Sequence, residues 1–296
     1  MPSFRKAKDQ AEYAIRKKLQ FGKARHTNKD DRKIHSLGTA RNYQQALTTL
    51  TQWLKDNRLC DLRRLTKETA LQYLELRGQS VGQKTLDQDR QAIQLHLGIS
   101  LPVIKSELTQ ALKSRAYTVA QIELVMQRQT EKNRLATSIA ASAGLRAHEL
   151  LTLRRREERK ASTHRTWSPQ RFIGRQGNVY TVVGKGGLIR EVLIPPALAI
   201  KLESKRFTSP IIVYDRKIKY LQYYNIAGGK NWTNSFSAAS KRILGWSYGA
   251  HGLRHTYAQQ RMDELQQRGF IYQDALGLVS QAMGHFRPDI TEVYLR

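Results

Sequence analysis

The sequence predicts a mainly α-helical chain of two domains, with one small antiparallel β-sheet in the second. Three observations carry that expectation. The 296 residues are too many for one small core and suit two domains of roughly 100–200 residues each. Apolar residues recur every three or four positions through most of both halves, the period of a helix buried on one side. Strand-like alternation appears in one stretch, Phe172 to Ile194, around the turn Gly184-Lys185-Gly186-Gly187.

Taken in order, residues 1–35 read as a basic segment, an arm or a linker, with eleven Lys/Arg against four Asp/Glu and one amphipathic helix around Ala11 to Leu19. Residues 36–112 read as a helical domain. Its first helix starts at Thr39 as N-cap and presents Tyr43, Ala46, Leu47, Leu50, Trp53 and Leu54. The next two run from Thr66 to Arg77 and from Lys84 to Leu97, with Gly78 and Gly98 placed to stop them. A fourth short helix is expected between Leu101-Pro102 and about Leu112. Residues 113–117 read as a linker, and 118–296 as the second domain. Thr118 and Gln121 have capping-box spacing, and helical periodicity continues through Leu135, Ile139 and Ala143. The strands Val179 to Val183 and Leu188 to Ile194 follow, ended by Pro195-Pro196. Helices return around Phe236 to Leu244, His251 to Gln267 and Asp274 to Met283.

The charge balance points to a partner. Lys and Arg number 51 against 24 Asp and Glu, a formal net charge of +27, and self-repulsion on that scale is relieved by a polyanion. Nucleic acid is favoured over an acidic membrane surface, because no basic helix with a bulky apolar face dominates the chain. No stretch approaches the roughly 20 apolar residues that span a bilayer, and the start Met1-Pro2-Ser3-Phe4-Arg5-Lys6 lacks an apolar signal core, so a cytoplasmic protein, in the cytosol or nucleoid or encoded by a phage or mobile element, is expected. The one cysteine, Cys60, excludes an internal disulfide and reads as a buried thiol beside Leu59. The eight histidines form no short metal-ligand spacing, so neither metal nor cofactor is expected.

The second domain carries an ordered set of motifs: Gly144-Leu145-Arg146-Ala147-His148-Glu149-Leu150, Gly184-Lys185-Gly186, His251-Gly252-Leu253-Arg254-His255, Gly284-His285 and, nine residues on, Tyr294. Here the sequence resembles the tyrosine recombinases, or phage integrases, over roughly Thr39 to Tyr294. Each motif is weak by itself, and five in order make coincidence improbable. The resemblance implies a helical core-binding (SAM-like) domain, an α+β catalytic domain, a clamp around double-stranded DNA, and a homotetramer on two sites. It implies cleavage and rejoining through a 3′-phosphotyrosyl intermediate, with integration or excision of a mobile element as the outcome.

Phosphoryl transfer without metal needs cations on the non-bridging oxygens, and arginine supplies a permanently charged bidentate fork. Arg146 and Arg254 are the expected clamps, each set among apolar and glycine residues rather than in a charge run. Glu149, one turn from Arg146, reads as the residue that orients it. His251 and Arg254, at i and i+3, share a helix face with Leu253, Tyr257 and Met262 packing inward. The resemblance gives His251 a proton exchange with the tyrosine and His285 a hydrogen bond to the phosphate; His255 and His148 read as structural, with His255 in support.

Lys185 could protonate the departing 5′ oxygen from its glycine turn. Tyr294 could conserve bond energy as a phosphotyrosyl ester, with Tyr272 or Tyr257 next in line. Lys113, Arg115, Arg154, Arg155 and Arg156 are the expected DNA contacts, the last three opening a long basic stretch, Arg154 to Arg175, that reads as a DNA-facing loop. The chain stops two residues beyond Tyr294, where many proteins of that family carry a segment that packs on a neighbouring protomer; that coupling element is expected to be absent. The rival readings are a type IB topoisomerase-like DNA-relaxing enzyme and a non-catalytic DNA-binding protein of the same fold.

Overall fold

The computed structural model describes residues 6–21, 32–109 and 113–296, and the chain divides into two compact units, Met1–Ala111 and Leu112–Arg296. The first unit is helical. Its elements are α1 (Ala7–Arg16), α2 (Leu37–Asp56), α3 (Lys67–Gly78) and α4 (Gln83–Leu97). Leu47, Leu50 and Leu54 of α2 form a buried stripe that meets Ala11 and Ile15 of α1, Leu74 of α3 and Leu86 and Ile93 of α4. Fully burying each such leucine or isoleucine contributes about 1.5–3 kcal/mol.

Four details differ from the sequence reading. The cap of α2 is Ser36, whose hydroxyl accepts from the Thr39 N–H at 3.1 Å, so Thr39 lies inside the helix. The amphipathic helix expected from Ala11 begins at Ala7 and folds onto α2 with Ala11 and Ile15 buried, so this part of residues 1–35 is core rather than arm; residues 1–5 and 22–31 lie outside the described ones. The helix expected after Pro102 is not formed over 101–109, and 110–112 lie outside the described residues. There the backbone is bound by neighbours: Gln83 donates to the Ile104 carbonyl at 3.0 Å and accepts from the Ser106 N–H at 2.8 Å, and the Glu107 N–H donates to the Gly78 carbonyl at 3.0 Å. Cys60 is half-buried rather than buried, because its neighbour Leu59 faces solvent, 47% exposed.

The second unit opens at residues read as a linker. Tyr117 is buried, its N–H donates to Thr256 Oγ1 at 2.9 Å, and its ring stacks on Trp246 at 5.4 Å. There follow α5 (Val119–Gln127), with the Thr118/Gln121 capping box formed, and α6 (Glu131–Ala143). Strands β1 (Arg154–Arg155), β2 (Asn178–Val183) and β3 (Ile189–Ile194) make an antiparallel sheet in that order. Next come α7 (Pro196–Glu203) and a second antiparallel hairpin, β4 (Arg206–Asp215) with β5 (Ile218–Tyr224). The sequence reading contains neither. The unit closes with α8 (Gly229–Leu244), α9 (Gly252–Gln267), α10 (Tyr272–Ala282) and α11 (Pro288–Glu292).

Helix α6 runs through the core with Leu135, Ala136, Ile139 and Ala140 buried, flanked by Tyr180, Val182, Val192 and Ile194 of the sheet and by Trp232 and Phe236 of α8. A second cluster joins α9 and α10 through Tyr257, Met262, Leu265, Leu276 and Val279, and Tyr294 belongs to it. No helix among the described residues is long and apolar enough to cross a membrane.

Candidate active site

The site is built around one buried carboxylate. Glu149 is 0% exposed and opens a single 3-10 turn, Glu149–Thr152, that follows the end of α6. Its Oε2 accepts the Arg146 N–H at 2.8 Å and Arg190 Nη2 at 2.8 Å, and its Oε1 accepts Arg146 Nη1 at 2.9 Å. Arg254 stands 4.0 Å from the same carboxylate. Burial by itself would raise the Glu149 carboxyl; Arg190, Arg146 and Arg254 together hold it well below the usual carboxylate range. Charged in place, it fixes the Arg146 side chain from below while that side chain stays 21% exposed.

Arg254, in the first turn of α9, is 0% exposed. Its Nη1 donates to the Gly144 carbonyl, and its Nη2 reaches the Met283 carbonyl at 3.3 Å and His285 Nε2 at 3.0 Å. An arginine can only donate, so His285 Nε2 must accept and Nδ1 carries the ring proton toward Thr291 Oγ1, 3.1 Å away. Both nitrogens of His285 are thereby engaged. Burial and then the Arg146 charge lower the Arg254 pKa to about 10, still charged at neutral pH.

Tyr294 caps this arrangement. Its ring lies 5.5 Å from the Arg254 guanidinium carbon, 4.7 Å from His255, 5.1 Å from His285 and 5.5 Å from His251, measured to ring centroids. Gln259 donates to the carbonyls of Tyr294 at 3.2 Å and Arg296 at 2.9 Å, and the Tyr294 N–H donates to the Thr291 carbonyl at 2.9 Å. Burial, then Arg254, lowers His251 to about 4; burial, then Arg115, lowers His255 to about 4; burial, then Arg254 and Arg146, lowers His285 to about 3. All three imidazoles are neutral at pH 7.

Lys185 stands apart. It is exposed at the tip of the β2–β3 hairpin, and the residue before it touches the site: a Cβ on Gly184 would lie 3.2 Å from Glu149 Oε1 and 3.8 Å from Arg146 Nη1. Of the expected DNA contacts, Lys113 and Arg115 are exposed, and Arg115 donates to the Tyr248 carbonyl at 2.9 Å. Arg154 lies 4.4 Å over the Tyr223 ring, Arg155 pairs with Glu203, and Arg156 pairs with Glu191 at 3.0 Å while remaining 65% exposed. Farther along the same stretch Arg171 pairs with Glu191 and Arg175 with Glu264. Much of that basic stretch is therefore tied into the unit.

One contributor was missed in the sequence. Arg190 is 1% exposed, bonds Glu149, and also donates to the carbonyls of Ala282 at 2.5 Å and Gly144 at 3.3 Å. A signal for it existed: the alternation in β3 puts Arg190 in register with the buried Val192 and Ile194, an inward charge that needs a partner. His255, read as structural, is among the rings against Tyr294.

The site shares no residue with the cleft of about 240 Å3 lined by Ser142, Arg175, Gln176, Leu193, Pro195 and Gln260. What it presents is fixed guanidinium, neutral imidazole and a phenol on one side of the unit. That is chemistry for an anion on a large substrate.

No family model and no curated protein matches the chain in sequence. Solved structures do match its fold. The XerH site-specific recombinase bound to palindromic difH substrate superposes with a TM-score of 0.60 at 15% identity, covering 98% of this chain and 90% of that one. A lambda integrase dimer bound to a COC′ core site gives 0.56 at 13% identity, covering 98% and 76%. A lambda integrase tetramer bound to a Holliday junction gives 0.54 at 13%, covering 95% and 80%. The fold is that of the tyrosine recombinases, and the match takes in both units.

Proposed function

We propose that this protein is a tyrosine site-specific recombinase that cleaves and rejoins double-stranded DNA through a 3′-phosphotyrosyl intermediate. The observation that carries the proposal is the packing of Tyr294 against Arg254 and three neutral imidazoles, with Arg146 braced by the same carboxylate that faces Arg254. In this reading the two arginines bind the non-bridging oxygens of the scissile phosphate, where charge grows during transfer. His251, neutral at pH 7, takes the phenol proton as the Tyr294 oxygen forms its bond to phosphorus. The bond from phosphorus to the 5′ oxygen breaks, and Lys185 gives that oxygen its proton. The free 5′ hydroxyl of a partner strand later attacks the ester and releases Tyr294, so no external energy source is consumed.

His285 has a further part. Its Nε2 accepts a hydrogen bond from Arg254, so it orients the donor that a phosphate oxygen would also use. Assembly as a homotetramer on two DNA sites, with both units of each protomer on the same duplex, follows from the same reading. Movement of a mobile element is the proposed outcome.

The test is Tyr294→Phe, which removes one oxygen and little packing. Sequencing DNA trapped covalently on the parent protein supplies the site; a nicked duplex of that site is then incubated with each protein and run on a denaturing gel. The parent should give a covalent adduct and the variant none, with DNA binding retained. An undiminished adduct in the variant would move the nucleophile to another tyrosine. Tyr257 is buried in the α9–α10 cluster, which leaves Tyr272, 41% exposed, as the next candidate.

A further inference from the structure

The β4–β5 hairpin ends in a turn that is locally unfavourable. Its central residues Arg216 and Lys217 have φ of 50° and 68°. Two consecutive residues at positive φ make the tight hairpin turn that Asn-Gly fills best, and long side chains there are strained. Nothing in the hairpin's own stability calls for a pair of cations at that position, and strain of this kind is found where function requires a particular side chain.

The turn is held firmly beside the site. Asp215, 8% exposed, accepts the Lys230 N–H at 2.8 Å and Arg216 Nε at 2.9 Å. The neighbouring Gly229 N–H donates to the Ala147 carbonyl at 2.8 Å, one residue past Arg146. Two short links thus join the tip to the loop that carries a phosphate-binding arginine. His148 lies within reach of the same charges: burial lowers it most, Glu149 opposes that, and Arg146, Arg216 and Arg254 add to the lowering.

The surface around the tip is cationic. Lys217, Lys219 and Lys230 are exposed, and among the described residues no carboxylate pairs with them; the one nearby, Asp215, is taken by Arg216. On one hairpin face Ile212 pairs in register with Leu221, and Tyr214 with Lys219. These apolar residues are 53%, 41% and 72% exposed in the order Ile212, Leu221, Tyr214. Exposed lysines without a carboxylate partner, beside a solvent-facing strand pair, suit contacts to nucleic-acid phosphates.

We propose that Arg216, Lys217 and Lys219, with Lys230 beside them, form a second phosphate-gripping surface that holds duplex DNA next to the scissile phosphate. The proposal rests on the DNA-cleaving reading above and adds a place where that DNA is held. The experiment is a salt titration of binding to a labelled mixed-sequence duplex, read by fluorescence anisotropy. The double variant Arg216→Asn/Lys217→Gly gives the turn its preferred residues and removes two charges. Its log–log salt slope should be shallower than the parent's by about 1.8, at about 0.9 per phosphate contact, with a thermal midpoint at or above the parent's.

A second variant, Lys219→Gln/Lys230→Gln, leaves the turn intact and should lose a similar slope. Lys201→Gln, an exposed lysine of α7, should leave the slope where it was. Parent-like slopes in both double variants overturn the proposal alone. A parent without salt-dependent duplex binding overturns it together with the DNA-cleaving reading.

Discussion

Two hairpins of the second unit end in basic tips, and they are built in opposite ways. The β2–β3 tip uses glycine for its left-handed positions, Gly186 at φ 74° and Gly187 at φ 83°, and carries a single lysine, Lys185. The β4–β5 tip puts Arg216 and Lys217 themselves at positive φ. The strands differ too. Tyr180, Thr181, Val182, Arg190, Val192 and Ile194 of the first hairpin are buried, whereas most of β4 faces solvent. An exposed lysine on a long flexible stem above a well-packed base suits a proton donor. Cations fixed by a strained turn and an aspartate suit a static grip. The difference teaches that a basic tip can serve chemistry or positioning, and that the backbone beneath it separates the two.

The sharpest way to break this contrast is at Lys185. Lys185→Ala should lower cleavage of an ordinary site by about a hundredfold or more, since an alkoxide leaves poorly without a proton donor. A bridging 5′ sulfur leaves without protonation, so the same variant should recover most of its rate on the sulfur-substituted site, while Arg146→Ala should not. Recovery of both, or of neither, would make Lys185 a positioning residue like those of the other tip.

Gly184→Ala tests the link between the first tip and the buried carboxylate. The new Cβ would sit 3.2 Å from Glu149 Oε1 and 3.3 Å from the Leu188 carbonyl, so neighbours must yield by a few tenths of an ångström. Cleavage should fall by about tenfold, equivalent to about 1.4 kcal/mol, with duplex binding little changed. An unaltered single-turnover rate would mean that the tip and the carboxylate move independently.

The smallest effect expected is on how stability varies with pH, and neither tip should alter that dependence. His251, His255 and His285 titrate at about 4, 4 and 3 in the folded protein, against about 6.5 when unfolded. Between those values the unfolded chain binds more protons, so stability rises with pH from about 3 to about 6.5 and then levels. Thermal midpoints measured across that range should climb by several degrees. A flat profile would show that burial, with the neighbouring arginines, does not hold the imidazoles neutral.

Much of this molecule is legible in its sequence, for reasons that particular residues show. The capping box at Thr118 and the glycine turn around Lys185 are local signals, and both form. Arg146, Glu149, Arg254, His285 and Tyr294 were singled out by motif, and the fold brings them together. What escaped is set by partners distant in sequence. Strands β4 and β5 carry no clean alternation because most of β4 is exposed, and their turn lacks glycine. Ser36 displaced Thr39 as cap because both hydroxyls were available within one turn. Arg190 was hidden because its carboxylate lies 41 residues away.

The charge count at the centre has a consequence for the folded state itself. Three guanidiniums, Arg146, Arg190 and Arg254, converge on one carboxylate, leaving two positive charges in surplus under a low-dielectric roof. In the proposed function, a bound phosphodiester would supply one of the missing anions. On the proposed reading the substrate would also be a counter-ion for the core, and an occupied protomer would gain stability by mass action, about 2.7 kcal/mol at a hundredfold excess over Kd.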